Sequence, residues 1–572
     1  MTTTEKLKHP AGLPFLFFSE MWERFGYYLI IGIFTQYLEA SDKEGGFGMS
    51  TTESADIYGT FIALVFLTPF VGGLLADRIM GYRKSIVVGG LLMGAGYCLL
   101  AVNGMFAFWT ALVLIIIGNG FFKPNISTLL GNLYNEKKYS SLKDSGYSIF
   151  YMGINIGACI CNFFAASLRN HYGWGAAFMC AGVGMFLGVL IFVAGNRHYK
   201  HADVLKPVQP GDLSMMQIMG TTIMPAILAG ILGWMIPGNI FGSDSTDAFL
   251  IGSLPVVGFY VATYARSNAN EKKPVGAMLA IFAVVVIFWA VFKQNGTALT
   301  TWANKYTDRE MPAAVAKPLD FLGFAKKVSS KPDTITLTDA HFRKQYEKDA
   351  SGKVVMIYPK GKDGKPDLKQ DPKPKEKKVV AQNDYFKNLP PEKMPPPGES
   401  VVTLNTEIFQ SVNPLWVVLL TFPIVGLFVW LAKRKKEPST ASKIALGLFI
   451  SGLSTLVMVA AVYAGSNGAV KVSPWWLIAA YGVVTVGELC LSPMGLSLVS
   501  KLSPARITAL MMGGWFLATS LGNKLSGVLA SMWDSYDNKA YFFLVNFGLL
   551  IFATLIMLFM LKRLNAILKQ YS

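Results

Sequence analysis

Apolar residues fall along the chain in long runs separated by short connections rich in glycine, proline and charge. The runs begin near residues 13, 57, 85, 106, 146, 174, 214, 247, 275, 413, 440, 474, 505 and 539. Most approach the ~20 residues that a spanning helix needs, so the pattern predicts an all-α membrane protein of about fourteen transmembrane helices. The seventh and eighth runs are the weakest. Two interruptions divide the series: a polar stretch around 207–211, and a long hydrophilic segment from 304 to 412. The expected organisation is therefore a six-helix bundle over 1–200 and a two-helix linker over 201–270. The first helix of a second six-helix bundle follows over 271–303, then an insertion over 304–412 and the rest of that bundle over 413–572.

Composition agrees with this pattern. Of 572 residues, 52% are hydrophobic and only 15% charged, with a mean hydropathy of +0.40. The net charge of +17 alone suits a polyanion-binding protein. Its placement argues otherwise. Basic residues cluster on alternate connections, such as Arg78, Arg83 and Lys84, or Lys433, Arg434, Lys435 and Lys436. Short cytoplasmic loops carry such an excess, so both termini are expected in the cytoplasm, the insertion outside, and no nucleic acid as partner. Residues 1–12 form a short polar tail, and the first run carries charges foreign to a signal segment, so no cleavable signal is expected.

The insertion is rich in lysine, proline and aspartate, with β-like pieces at 334–337 and 354–358. A small extramembrane subdomain and a largely disordered loop both fit this composition.

Within the runs, ionisable residues are few. The cations are Arg24, Lys123, Lys293 and Lys524, and the anions Glu20, Glu23 and Glu488. A charge at the centre of a bilayer costs at least roughly 2.5–3.5 kcal/mol and is tolerated chiefly where it faces a bundle interior or a watery cavity. Spacings of three and four put Glu20, Glu23, Arg24, Tyr27 and Tyr28 along one side of the first helix. The seven charges together can nearly neutralise one another in one central site. Lys524 fits no such pattern and is expected to pair or to snorkel outward. The five cysteines all lie in apolar runs and read as small buried hydrophobes. No metal-ligand cluster, nucleophile–base set or phosphate-binding glycine loop emerges, so neither a catalytic residue, a metal nor a cofactor is expected.

The turn after the second run, from Gly72 through Asp77 and Arg78 to Lys84, resembles the loop signature of the major facilitator superfamily. Four further motifs resemble one branch of it, the proton-dependent oligopeptide transporters. These are Glu20-x-x-Glu23-Arg24-Phe25-x-Tyr27-Tyr28, Phe121-Phe122-Lys123-Pro124-Asn125, Phe150-Tyr151-x-x-Ile154-Asn155-x-Gly157 and Gly487-Glu488-x-x-x-Ser492-Pro493. The resemblance covers the whole membrane part in the right order. It implies a facilitator fold of two six-helix bundles with two extra central helices.

By that resemblance, Arg24 and Lys123 meet the carboxyl end of a peptide, and Glu488 meets its amino end or pairs with Lys123. Asn155 and Asn413 read the peptide backbone, and Tyr27, Tyr28, Trp289 and Trp515 wall the pocket. Glu20 and Glu23, with Arg24, carry proton coupling, and Asp77 and Arg78 sit in a conformational loop. The chain also departs from the family. It has Lys293 where many relatives carry glutamate, Ile31 where they carry arginine, and Phe66 where they often have tyrosine. Lys293 is expected to pair with Glu488 or Glu20, to meet a substrate carboxylate, or to stay neutral.

The resulting expectation is a proton-coupled symporter of di- and tripeptides, monomeric, in the lipid bilayer of a bacterial inner membrane. A carrier of another small zwitterionic or acidic solute with altered proton coupling is the alternative. A non-transporting receptor or scaffold is a more remote one.

Overall fold

The computed structural model describes residues 9–134, 136, 138–139, 143–204, 214–358, 373–503 and 508–571. Its long helices are α1 (Leu13–Glu39), α2 (Thr51–Leu75), α3 (Tyr82–Leu100), α4 (Met105–Leu133), α5 (Lys143–Tyr172) and α6 (Trp174–Ala194). Then come α7 (Met215–Trp234), which contains a wider turn over Met219–Ile223, α8 (Asp244–Arg266) and α9 (Ala269–Phe292). After the insertion follow α10 (Val412–Lys433), α11 (Thr440–Ala464), α12 (Trp475–Leu502), α13 (Thr508–Ser531) and α14 (Lys539–Tyr571). Among the described residues, 12 helices are long and apolar enough to cross a membrane by length and composition. The other two, α1 and α13, have 27 and 24 residues and carry Glu20, Glu23, Arg24 and Lys524.

Several helices begin before their apolar run does, because hydropathy marks lipid contact whereas capping marks the first turn. Helix α2 starts at Thr51 because the Ser50 hydroxyl accepts the Glu53 amide at 3.2 Å and the Glu53 carboxylate accepts the Ser50 amide at 2.8 Å. Asn268 starts α9 in the same way by accepting the Glu271 amide at 3.0 Å. One consequence is that Asp56 lies inside α2, one residue ahead of the apolar run.

Helices α1 to α6 pack mainly on one another, and α9 to α14 do likewise, with separate hydrophobic cores. Glycines let some helices touch closely. A Cβ added to Gly89 of α3 would stand 2.6 Å from the Gly118 carbonyl of α4. Between the halves, the extensive contacts are α2 with α13 and α5 with α10. A Cβ on Gly59 of α2 would stand 2.8 Å from Gly527 Cα on α13. Helices α4 and α5 have no comparable packing against α12 or α13 among the described residues. Helices α7 and α8 form a hairpin whose second helix touches α2, α9 and α13.

The insertion is folded over the residues described. Its strands are β1 (Ala325–Ser329), β2 (Asp333–Thr336), β3 (Met356–Ile357), β4 (Lys373–Pro374), β5 (Lys378–Ala381) and β6 (Ser400–Leu404), paired antiparallel as β1 with β6, β2 with β5 and β3 with β4. The β1–β6 pair, with Ala325 opposite Leu404, forms its neck. The expected strand at 334–337 is β2, whereas the one at 354–358 shortens to β3. The subdomain spans both halves. Lys344 Nζ donates to the Gly48 carbonyl at 3.2 Å in the α1–α2 connection, and Arg343 pairs with Asp537 at 2.9 Å in the α13–α14 connection. Lys471, in the α11–α12 connection, is buried under Tyr385 and donates to the Lys305 carbonyl at 2.7 Å. Close after β6, the buried Glu407 pairs with Arg169 of α5 at 3.0 Å.

Candidate functional site

Helix α1 carries a fully enclosed charge cluster. Glu20, Glu23 and Arg24 are 3%, 0% and 3% exposed. The Arg24 guanidinium donates through Nε and Nη2 to both oxygens of Glu23, while Glu20 Oε1 lies 3.5 Å from Nε. Two carboxylates thus share one guanidinium. The other Glu20 oxygen, Oε2, has no hydrogen-bond partner among the described residues. Arg24 Nη2 also donates to Asn119 Oδ1 of α4 at 3.4 Å, and the Asn119 amide is held by the Val65 carbonyl at 2.7 Å. Arg24 stacks 4.9 Å from the Tyr27 ring centroid, and Tyr27 meets Tyr28 edge to face. The geometry follows from 3.6 residues per turn, which brings positions 20, 23, 24 and 27 to one stripe.

Next to this cluster stands Phe66 of α2. Lys123 Nζ of α4 lies 3.7 Å from its ring centroid. Lys293, at the carboxyl end of α9, approaches the same ring at 5.7 Å, and also Trp289 at 5.6 Å and Phe292 at 5.8 Å. Neither lysine makes an ion pair with a carboxylate among the described residues. Glu488 of α12 accepts from Asn413 Nδ2 of α10 at 3.1 Å, and the same amide donates to Thr485 Oγ1 at 2.8 Å. Glu488 interacts electrostatically with Lys293 and with Tyr151. Tyr151 of α5, within electrostatic range of Glu488, is 40% exposed.

The seven intramembrane charges do not all meet. Lys524 leaves the central group, is 0% exposed, and pairs with Asp56 at 2.6 Å. The expected single neutralising site is therefore corrected to two. Lys524 pairs and does not snorkel; its partner Asp56 precedes the apolar run that begins at 57, so hydropathy does not mark it as an intramembrane charge. Of the remaining expected site residues, Asn155 turns its amide back to the Tyr151 carbonyl of its own helix at 2.9 Å. Trp515 is 4% exposed and packs against Phe282 at 6.2 Å within the second half. Asp77 and Arg78 belong to a wide helical turn, Ala76–Met80, and their side chains lie outside the described part of the structure. The neighbouring Asp203 accepts the Tyr82 amide at 2.7 Å and Arg83 Nε at 2.8 Å, tying the start of α3 to the segment after α6.

The arrangement offers cations, an amide-held carboxylate and aromatic faces, with groups contributed by both halves. It suits a small molecule bearing both charges, held by ion pairs and neutral hydrogen bonds together.

Known proteins resemble the chain over nearly its whole length. A peptide transporter of Yersinia enterocolitica is 28% identical over 91% of this chain and 87% of its own. A di-/tripeptide transporter of Lactococcus lactis is 26% identical over 95% and 94%. Among solved structures, a peptide transporter POT in complex with sulfate shares 28% of its sequence, covers 98% of this chain and 96% of its own, and superposes with a TM-score of 0.71. The model of the POT family matches residues 83–316 and 398–545. The gap between the two matched stretches, 317–397, falls within the insertion, and the matched helices carry Lys123, Asn155, Trp289, Lys293, Asn413, Glu488 and Trp515. The chain belongs to the POT family of transporters.

Proposed function

We propose that the chain is a proton-coupled symporter of di- and tripeptides, working as a monomer in the bilayer of a bacterial inner membrane, with no catalytic role. The observation that carries this reading is the buried Glu20–Glu23–Arg24 cluster of α1, together with Lys123 of α4 and Lys293 of α9 at the Phe66 ring and Glu488 held by Asn413. A peptide is a zwitterion. Arg24 and Lys123 suit its carboxylate, Glu488 suits its amine, and the amides of Asn155 and Asn413 suit the peptide bond. Tyr27, Tyr28, Trp289 and Trp515 supply apolar walls. The names of the relatives, peptide and di-/tripeptide transporters, support the same substrate class.

Coupling follows from the shared guanidinium. A proton on Glu20 or Glu23 removes one of two carboxylates from Arg24 while the other still neutralises it, which frees part of the cation for a substrate carboxylate. In this reading 1–200 and the stretches 271–303 and 413–572 form two rocking halves, 201–270 links them, and 304–412 is periplasmic. Both termini are cytoplasmic, and Asp77 and Arg78 lie in the cytoplasmic turn that rearranges. Close α2–α13 and α5–α10 packing next to the insertion, without its counterpart at α4 and α5, then corresponds to a state closed to the periplasm.

The test is uptake of labelled dipeptide by proteoliposomes with an acidic exterior. Accumulation above equilibrium that collapses with a protonophore is expected. No accumulation across a diverse dipeptide panel, with the proton gradient verified, would remove the proposal.

A further inference from the structure

The second half contains a cavity walled by residues of α9, α10, α11, α12 and α14. Tyr481 and Val484 of α12 line it two turns and one turn before Glu488, on the same stripe of that helix. It measures about 40 Å³ to the centres of water-sized spheres. A single water needs roughly 10–15 Å³ by that measure, so there is room for about three. Two amide oxygens of residues in its wall, Asn295 Oδ1 and Asn546 Oδ1, are buried and have no hydrogen-bond partner among the described residues. Asn546 is 2% exposed, and its nitrogen is turned back to the Phe542 carbonyl of its own helix at 2.8 Å. Two acceptors cannot satisfy one another. A water donates twice, and so joins acceptors that no protein donor reaches. The Ser454 and Thr455 hydroxyls of the same wall donate to carbonyls of α11 at 2.7 and 2.8 Å and keep lone pairs for further donors. No carboxylate lines the cavity among the described residues, which favours water over a metal cation as its occupant.

Asn413 connects this cavity to Glu488. It lines the cavity and gives its nitrogen to Glu488 at 3.1 Å and to Thr485 at 2.8 Å. The amide group is planar, so its oxygen points away from the atoms its nitrogen holds, and a flip would set that oxygen against the carboxylate. A donor on the oxygen keeps the amide the useful way round. We propose that the cavity holds a small water cluster that bridges Asn295 and Asn546 to Asn413, which makes Asn546 and Asn295 positioning residues for Glu488. This rests on the reading above, in which Glu488 receives the amine of a peptide. Helix α14 packs chiefly on α11 and α9, so Asn546 acts on that carboxylate from the outer side of the second half and through water.

The experiment compares Ala-Ala with propionyl-alanine, the same molecule without its amine, as counterflow in proteoliposomes of the full chain. Wild type is expected to show a KM for Ala-Ala at least about tenfold below that for propionyl-alanine, as a charge-assisted contact at the amine requires. Asn546→Leu keeps the volume and removes the acceptor. It should shrink the ratio of the two KM values at least about threefold, the worth of one hydrogen bond, by raising the KM for Ala-Ala alone. Asn546→Ser keeps an acceptor and should retain the wild-type ratio. A ratio unchanged in Asn546→Leu, or two KM values that rise together, would mark a merely structural residue and overturn the proposal. A second arm needs no variant: a structure of the wild type that resolves water should show it bonded to the Asn546 and Asn413 oxygens, and a cavity without it overturns the proposal as well. A wild-type ratio near one removes the pairing of Glu488 with the amine and this inference with it, whereas no transport of Ala-Ala removes the peptide reading itself.

Discussion

Lys524 of α13 donates to Asp56 of α2 at 2.6 Å and joins the two halves through an ammonium that is 0% exposed. The same nitrogen donates to Thr60 at 2.6 Å and to Ser245 at 3.0 Å. Asp56 in turn accepts from Ser243 at 2.9 Å and Thr246 at 3.1 Å, at the capped start of α8. One ion pair therefore ties together the first half, the second half and the hairpin between them. It lies on the face that bears the insertion, close to the Gly59–Gly527 contact.

The two partners are not equivalent, and their removal should not cost the same. Asp56→Asn strands a fully buried ammonium, for which about 3–5 kcal/mol is expected. Lys524→Met should cost clearly less, because the Asp56 side chain is 23% exposed and keeps its hydroxyl donors. The double variant should be more stable than Asp56→Asn alone. Thermal or denaturant unfolding in detergent measures all three, and strictly additive losses would show that the pair is not coupled.

Glu23→Gln and Glu20→Gln separate coupling from binding. Each leaves Arg24 with one carboxylate, so the guanidinium stays neutralised and exchange of peptide across equal concentrations should persist in part. Proton-driven accumulation should fall at least about tenfold, since the switchable charge is gone. Full accumulation in both variants would place coupling outside this cluster.

The insertion reaches both halves through Lys344 and Arg343, so it should oppose their separation on that face. Because β1 and β6 run antiparallel with Lys326 opposite Thr403, a short hairpin turn can replace the residues between them. The shortened chain is expected to fold and to expose the α2–α13 seam more often, read as faster labelling of a cysteine at position 60. Unchanged labelling would mean that the subdomain exerts no hold on the halves.

Lys471 sets a pH dependence outside the membrane. Burial, with Arg309 close by, pushes its ammonium down from 10.5 to about 7. The unfolded chain holds this proton up to about pH 10.5 and the folded chain only up to about 7, so the unfolded state is the more protonated between them. Stability therefore rises with pH across that window, and the penalty is complete below it. Lys471→Met should stabilise the protein more at pH 6 than at pH 10. The hydrogen bond to Lys305 is lost at both, so it cancels. An equal change in Tm at the two pH values would refute the assignment.

Much of the molecule is legible along the chain. Spans of sustained hydropathy mark the candidate membrane helices because lipid contact demands a continuous apolar surface, and their order alone predicts the grouping six, two and six. The stripe of Glu20, Glu23, Arg24 and Tyr27 follows from helical periodicity, and its motif points to the POT family. The folded insertion was less legible. Its strands are short and half exposed, and pairing such as Ala325 with Leu404 joins positions far apart in sequence, which no local pattern records.

By itself, then, the sequence determined which segments are helical and apolar, which few charges they bury and the family to which they belong. Only the tertiary structure decided how those charges are shared out. It took Lys524 away to Asp56, left Lys123 and Lys293 facing one ring, and gave Glu488 to Asn413. The reason is physical: periodicity places a charge on a face of its own helix, but its electrostatic partner is set by which other helix packs there and at what depth.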